Sequence, residues 1–144
     1  DVFEERQVLY CGRGHPLFEH SQAASLADLK SLQLVRRAYA APDSFPAGMK
    51  LTSSAVADLM ESVALFILSG RYIGFLPQHF AQQWVEQDRM RALLEQKLGY
   101  QNPIYLTTRK TEQQTPILAA FLKELRRAHQ PVMVVKEKRT RRAG

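Results

Sequence analysis

The chain has 144 residues, a length that fits one domain, or one subdomain with pieces of another. Its 45% hydrophobic and 24% charged residues exclude a disordered composition, and its longest apolar run, Val63 to Leu68, is far short of the roughly 20 residues of a membrane helix. The formal charge of +6 is lopsided: Lys136, Lys138, Arg139, Arg141 and Arg142 against Glu137 put +4 in the last nine residues and leave +2 for residues 1 to 135.

A surface that tracks phosphates needs its charge on the folded body, so this basic tail reads as solvated rather than as a nucleic-acid site. The single cysteine, Cys11, makes no internal disulfide and leaves no cluster for zinc or iron–sulfur ligation, which suits a reducing cytoplasm. The opening Asp-Val-Phe-Glu-Glu-Arg lacks the basic and apolar regions of a secretory signal.

In chain order, Glu5 to Cys11 predicts a strand, with Val8-Leu9-Tyr10-Cys11 a continuous apolar run, stopped by Gly12-Arg13-Gly14-His15-Pro16. Such a run implies burial on both faces. Ser25 to Ser31 predicts a short helix with Ser25 as N-cap and Asp28 at N3, and Leu32 to Arg37 a second strand. Ala40 to Gly48, rich in Pro, Gly, Asp and Ser, is loop, followed by a strand over Met49 to Ser53. Asp58 caps the next helix, with Glu61 reaching back to complete a capping box. That helix is apolar almost all round, through Met60, Val63, Ala64, Leu65, Phe66, Ile67 and Leu68, which calls for cover on more than one side. Gly70 ends it.

Tyr72 to Leu76 predicts a strand, and Pro77 suits the first position of a further helix whose stripe is Phe80, Ala81, Trp84 and Val85. A brief strand over Ala92 to Leu94 and a longer one over Pro103 to Thr108 follow. Thr115 caps and Pro116 opens the last helix, with Ile117, Leu118, Phe121, Leu122 and Leu125 on its inner face. The continuous runs Val8 to Cys11 and Ile104 to Leu106 favour a largely parallel sheet, and the alternation of strands and helices gives an α/β fold.

The sequence offers little catalytic chemistry. Cys11 and His15 lie four residues apart, with no third group to orient the imidazole, and read as a buried strand cysteine and a loop histidine. Gly12-Arg13-Gly14 is too short for a dinucleotide fingerprint. Glu4 and Glu5 are adjacent on a strand, face opposite ways and make no acid/base pair. His79 stands at a helix start, where N–H groups hold anions, although a surface histidine is the plainer reading. Neither a catalytic set, a metal site nor a cofactor loop is expected. Ser53, Ser54 and Asp58, with Tyr39 to Ser44, are small or polar positions near strand ends, where open α/β sheets bind ligands.

One segment carries more than pattern. Ala57 to Ala81, in which a helix is followed by Gly70, two residues, Ile73-Gly74 and Phe75-Leu76-Pro77, resembles the effector-binding domain of LysR-type transcriptional regulators. Phe3 to Phe18, with Gly14-His15-Pro16-Leu17, resembles the strand crossing between that domain's two subdomains. Ile104 to Leu125, with Thr107-Thr108-Arg109-Lys110 and Phe121-Leu122-Lys123-Glu124-Leu125, resembles its return strand and final helix. The resemblance spans residues 3 to about 128.

It implies a type 2 periplasmic-binding-protein-like fold: one Rossmann-like subdomain, the hinge strands and the C-terminal helix of the other. The implied division is a crossing strand in 1–13, an effector-binding subdomain in 14–98, the return strand and last helix in 99–130, and the basic tail in 131–144. The family's winged helix-turn-helix, linker helix and most of the first effector subdomain have no counterpart in these residues, so the expectation is a chain truncated at its N-terminus. The implied function is cytoplasmic sensing of a small-molecule effector, an organic acid or an aromatic, by a homodimer or homotetramer that reaches DNA only through a domain absent here, with no membrane partner. The implied cleft wall comprises Tyr39, Ala40, Ser44, Ser53, Ser54, Asp58, Phe75, Pro77 and His79. A free-standing periplasmic solute-binding protein shares the architecture and is the alternative; the missing export signal weighs against it.

Overall fold

The computed structural model describes residues 3–38, 53–107 and 115–129. Its elements are β1 (Phe3–Gly12), a 3-10 turn (Ser21–Ala23), α1 (Leu26–Leu29), β2 (Gln33–Arg37), β3 (Ser53–Ala57), α2 (Met60–Leu68), β4 (Tyr72–Pro77), α3 (Gln78–Glu86), β5 (Met90–Leu93), α4 (Glu95–Leu98), β6 (Tyr100–Ile104) and α5 (Pro116–Ala128). The loop expected over 40–48, most of the strand expected over 49–53 and the basic tail lie outside the described residues. The described residues divide into two units, one within 4–103 and one of Phe3 with residues 104–107 and 115–129.

The first unit is a sheet in the order β3-β2-β4-β1-β5, with β6 also pairing with β1. The pairs β2–β3 and β2–β4 are parallel. The central strand β1 is antiparallel to both β4 and β5, so the sheet is mixed rather than largely parallel. The apolar run had signalled burial on both faces, which a covered central strand shows in either direction.

Both faces are covered. On one, α2 and α3 bring Val63, Ala64, Ile67 and Ala81 onto Val8, Tyr10, Val35, Leu76 and Met90. On the other, Phe18, Leu29 and Leu98 close over Leu9, Cys11, Leu34, Ile73, Phe75 and Leu93. A fully buried side chain of this size stabilises the fold by about 1.5–3 kcal/mol, and Ile67→Ala would cost about 2–5 kcal/mol through the cavity left behind. Gly70 fits the end of α2 to this layer. It has φ 73°, and a Cβ there would lie 2.6 Å from the Arg13 carbonyl oxygen.

Capping follows the sequence in part. At α1 the Ser25 N–H donates to Asp28 Oδ2 at 2.7 Å and the Asp28 N–H donates back to Ser25 Oγ at 3.4 Å, so the expected cap is part of a box, on a helix shorter than expected. At α2 the expected box is absent: β3 stays extended through Ala57, and Leu59 occupies the N-cap with no side-chain hydrogen bond. Asp58 is thereby moved out of capping reach, and Glu61 remains in the first turn, where it favours the helix dipole. Pro77 ends β4 and occupies the N-cap of α3, one position before that expected. Leu65 is exposed, so α2 buries one broad face rather than all sides, and Val85 is likewise exposed on α3.

Beyond β5 the chain departs further from expectation. Leu94 adopts φ 50° and starts α4, which no periodicity had marked. β6 begins at Tyr100 instead of Pro103, leaving Tyr105 and Leu106 exposed outside it. In the second unit Thr115 caps α5, its hydroxyl accepting the Leu118 N–H at 3.3 Å, with Pro116 in the first turn. Of the expected inner face Leu122 is buried and Leu118 and Leu125 half-buried, whereas Ile117 and Phe121 are exposed. In the same unit Phe3 stacks on His129 with ring centroids 4.7 Å apart.

Candidate functional site

In an open α/β sheet the carboxyl ends of parallel strands carry helix N-termini and loops, and ligands bind outside them. Here β2, β3 and β4 end together, at Arg37, Ala57 and Pro77. Because β1 is antiparallel, it delivers its amino end to the same edge, with Gln7 paired to Pro77.

The side chains at this edge form one polar cluster. Gln7 is 0% exposed, a buried amide that must be hydrogen-bonded. Its Nε2 donates to Glu5 Oε2 at 2.6 Å, and its Oε1 accepts from Arg37 Nη2 at 3.4 Å. The other Glu5 oxygen lies 3.9 Å from His79 Nε2, too far for a hydrogen bond; the Glu5 side chain is 15% exposed and that of His79 68%. His79 stands in the first turn of α3, where backbone N–H groups are unpaired within the helix. Beside this cluster Phe75 meets Tyr100 edge to face, ring centroids 5.5 Å apart.

Of the expected wall residues, Pro77 and His79 sit at the carboxyl edge, Phe75 is buried just inside it, and Asp58 is exposed one residue beyond β3. Ser53 and Ser54 start β3 at its opposite end, where Ser53 Oγ accepts from Arg36 Nε at 3.2 Å and Ser54 Oγ donates to the Leu34 carbonyl at 3.5 Å. Tyr39, Ala40 and Ser44 lie outside the described residues. Glu5 reads in the sequence only as one of two adjacent strand carboxylates, and Gln7 and Arg37 are not singled out there. One signal was available: an amide, Gln7, directly ahead of a continuous buried run.

The Cys11 and His15 pair has a structural explanation. Cys11 is fully buried, its thiol 3.8 Å from the Arg91 carbonyl, and burial pushes its pKa up to about 11, well away from a nucleophilic thiolate. His15 Nδ1 accepts the Leu17 N–H at 3.1 Å, bracing the turn, and burial lowers its pKa. Among the described residues no group of three His, Cys, Asp or Glu side chains is placed to hold a metal ion. Two hollows, one of about 300 Å³ beside α4 and one of about 470 Å³ beside Gln33 and Tyr72, take in none of the edge cluster.

A three-layer α/β unit with a polar carboxyl edge has the layout in which open α/β sheets bind ligands. A family model described as "LysR substrate binding domain" matches residues 1–130. The HTH-type transcriptional activator BauR of Pseudomonas aeruginosa is 34% identical over 123 residues, covering 84% of this chain and 40% of BauR. The effector domain of the transcriptional regulator AmpR of Pseudomonas aeruginosa superposes with TM-score 0.62 at 20% identity, over 88% of this chain and 62% of that one. Full-length AphB, a Vibrio cholerae virulence activator, does so with TM-score 0.67 at 15% identity, over 90% and 46%. The chain belongs to the LysR substrate-binding domain family and has the type 2 periplasmic-binding-protein-like fold. It spans less than half the length of BauR.

Proposed function

We propose that this chain is the effector-sensing part of a LysR-type, DNA-binding transcriptional regulator, and that the carboxyl edge of β1, β2 and β4 forms one wall of its effector site. The observation that carries the reading is Gln7, a fully buried amide whose two ends hold Glu5 and Arg37. A fixed polar group ordering two charges at the ligand-binding edge of an α/β sheet is preorganisation of the kind a small polar ligand needs. His79 and the first turn of α3 add donors for an anionic group, and Phe75 with Tyr100 an apolar surface, so an organic acid or an aromatic acid suits the wall. The facing wall comes from the rest of a longer protein.

In this reading residues 14–98 are the sensing subdomain, 1–13 and 99–130 supply hinge strands and the last helix, and the basic sequence 131–144 has no part in the site. Effector binding shifts the balance between subdomain orientations, which a cytoplasmic homodimer or homotetramer passes to DNA-binding domains outside these 144 residues. The exported solute-binding protein shares the fold, but BauR is a transcriptional activator. No helix among the described residues is long and apolar enough to cross a membrane.

The test is thermal unfolding with small organic acids and aromatic carboxylates, on the protein as its gene encodes it. A ligand at a hundredfold excess over its Kd adds about 2.7 kcal/mol. That gain should disappear in Arg37→Ala. A stabilising ligand unaffected by both Arg37→Ala and Glu5→Gln would place the site elsewhere.

A further inference from the structure

Glu5 is the unusual member of the edge cluster. Its side chain is only 15% exposed, yet among the described residues the hydrogen bond it accepts comes from a neutral amide, that of Gln7, and no cation of those residues approaches within hydrogen-bond distance. The Arg37 guanidinium donates to Gln7 Oε1, at the other end of that amide. His79 Nε2, at 3.9 Å, borders the free oxygen without closing on it. Oxygen Oε1 of Glu5 therefore presents acceptor capacity at the edge while Oε2 is pinned. A carboxylate withdrawn from water and left short of a cation binds one strongly when it arrives, because charge-assisted hydrogen bonds are about twice as strong as neutral ones. Gln7 makes this geometric: fully buried, it fixes the rotamer of Glu5 and keeps Arg37 from neutralising it directly.

We propose that the effector bears an ammonium group, received by Glu5 Oε1, with Gln7 as the positioning residue that keeps the carboxylate turned to the ligand. The inference rests on the edge being the effector site. It narrows the organic acids considered above to those that also carry an amine, since the Arg37 guanidinium is bonded to the opposite end of the Gln7 amide from Glu5.

The experiment compares matched probes by calorimetry on the protein as its gene encodes it: L-alanine against L-lactate, 5-aminopentanoate against pentanoate, and putrescine against 1,4-butanediol. At least one amine should bind about tenfold or more tightly than its partner. Glu5→Gln should abolish that preference, because it keeps an oxygen for the Gln7 amide but removes the charge. Gln7→Met should weaken the amine while leaving the order of the pair intact. Failure of every amine to bind at millimolar concentration overturns the proposal, as does an acid that binds as well as its amine. If such acid binding is lost in Arg37→Ala, the edge stands as the site and only the ammonium class falls; binding indifferent to Glu5 and Arg37 alike removes the site reading as well.

Discussion

Replacing Gly70 by alanine separates two reasons for a glycine. The first is its φ of 73°, a left-handed conformation in which a Cβ costs about 1–2 kcal/mol. The second is proximity: the added Cβ would lie 2.6 Å from the Arg13 carbonyl oxygen and 3.2 Å from the Gly14 carbonyl carbon, backbone atoms that yield only if the turn after β1 moves away from the end of α2. Overpacking of this kind costs about 1–3 kcal/mol, so Gly70→Ala should lose about 2–5 kcal/mol altogether. Gly14→Ala is the control, because it has φ 88° and open space where its Cβ would sit. It should lose the conformational part alone, about 1–2 kcal/mol. Urea unfolding followed by circular dichroism reads both, and with m of about 1–3 kcal/mol per M the midpoints should separate by roughly 1 M. Midpoints that coincide would refute the packing argument and leave backbone conformation as the sole demand for glycine at the end of α2.

Alkali should destabilise the fold through two buried groups on β1. Burial raises Cys11 from 9.0 to about 11, and burial with the nearby Glu95 raises Tyr10 from 10.0 to about 12. Raised folded values mean that the unfolded chain loses its protons first, so their contribution to stability is intact below about pH 9 and is lost as pH climbs through 11 to 12. Cys11→Val should flatten the lower part of that decline, and an unfolding profile level from pH 9 to 11 would contradict the burial. Below pH 8, iodoacetamide should modify Cys11 only after denaturant is added. On α5, Ile117 and Phe121 are 83% and 55% exposed one helical turn apart, and the chain should bind an apolar fluorescent dye there. Ile117→Lys with Phe121→Lys should remove more than half of that signal; no dye binding by the unmodified chain would mean that the face is covered.

What the sequence made legible is whatever short-range chemistry controls. The Ser25 and Asp28 box, the Thr115 cap with Pro116 and the stop at Gly70 depend on residues within one helical turn, and each is where local rules put it. Asp58 failed as a cap although its residue type was right, because β3 pairs with β2 through Ala57 and pulls the chain past the capping position. Here tertiary pairing outweighed a preference worth about 1 kcal/mol. α4 was invisible because it depends on Leu94 at φ 50°, a conformation to which leucine contributes no signal.

The site was harder to read for a single reason that also explains the sheet. Glu5 and Gln7 are ahead of the apolar run of β1, while Arg37 closes β2 some 30 residues later. Nothing local joins them. They meet because β1 is antiparallel to β4, which puts its amino end beside the carboxyl ends of β2 and β4. Were β1 parallel to its neighbours, Glu5 would face the opposite edge and the turn at Gly12 would stand beside the carboxyl ends of β2 and β4 instead. Expecting a largely parallel sheet therefore carried the overlooked residues with it: continuous hydrophobicity reports how deeply a strand is buried, whereas strand direction decides which of its ends reaches the ligand. The one clue insensitive to direction was Gln7, since an amide entering a fully buried run needs partners for both its donor and its acceptor wherever the strand ends.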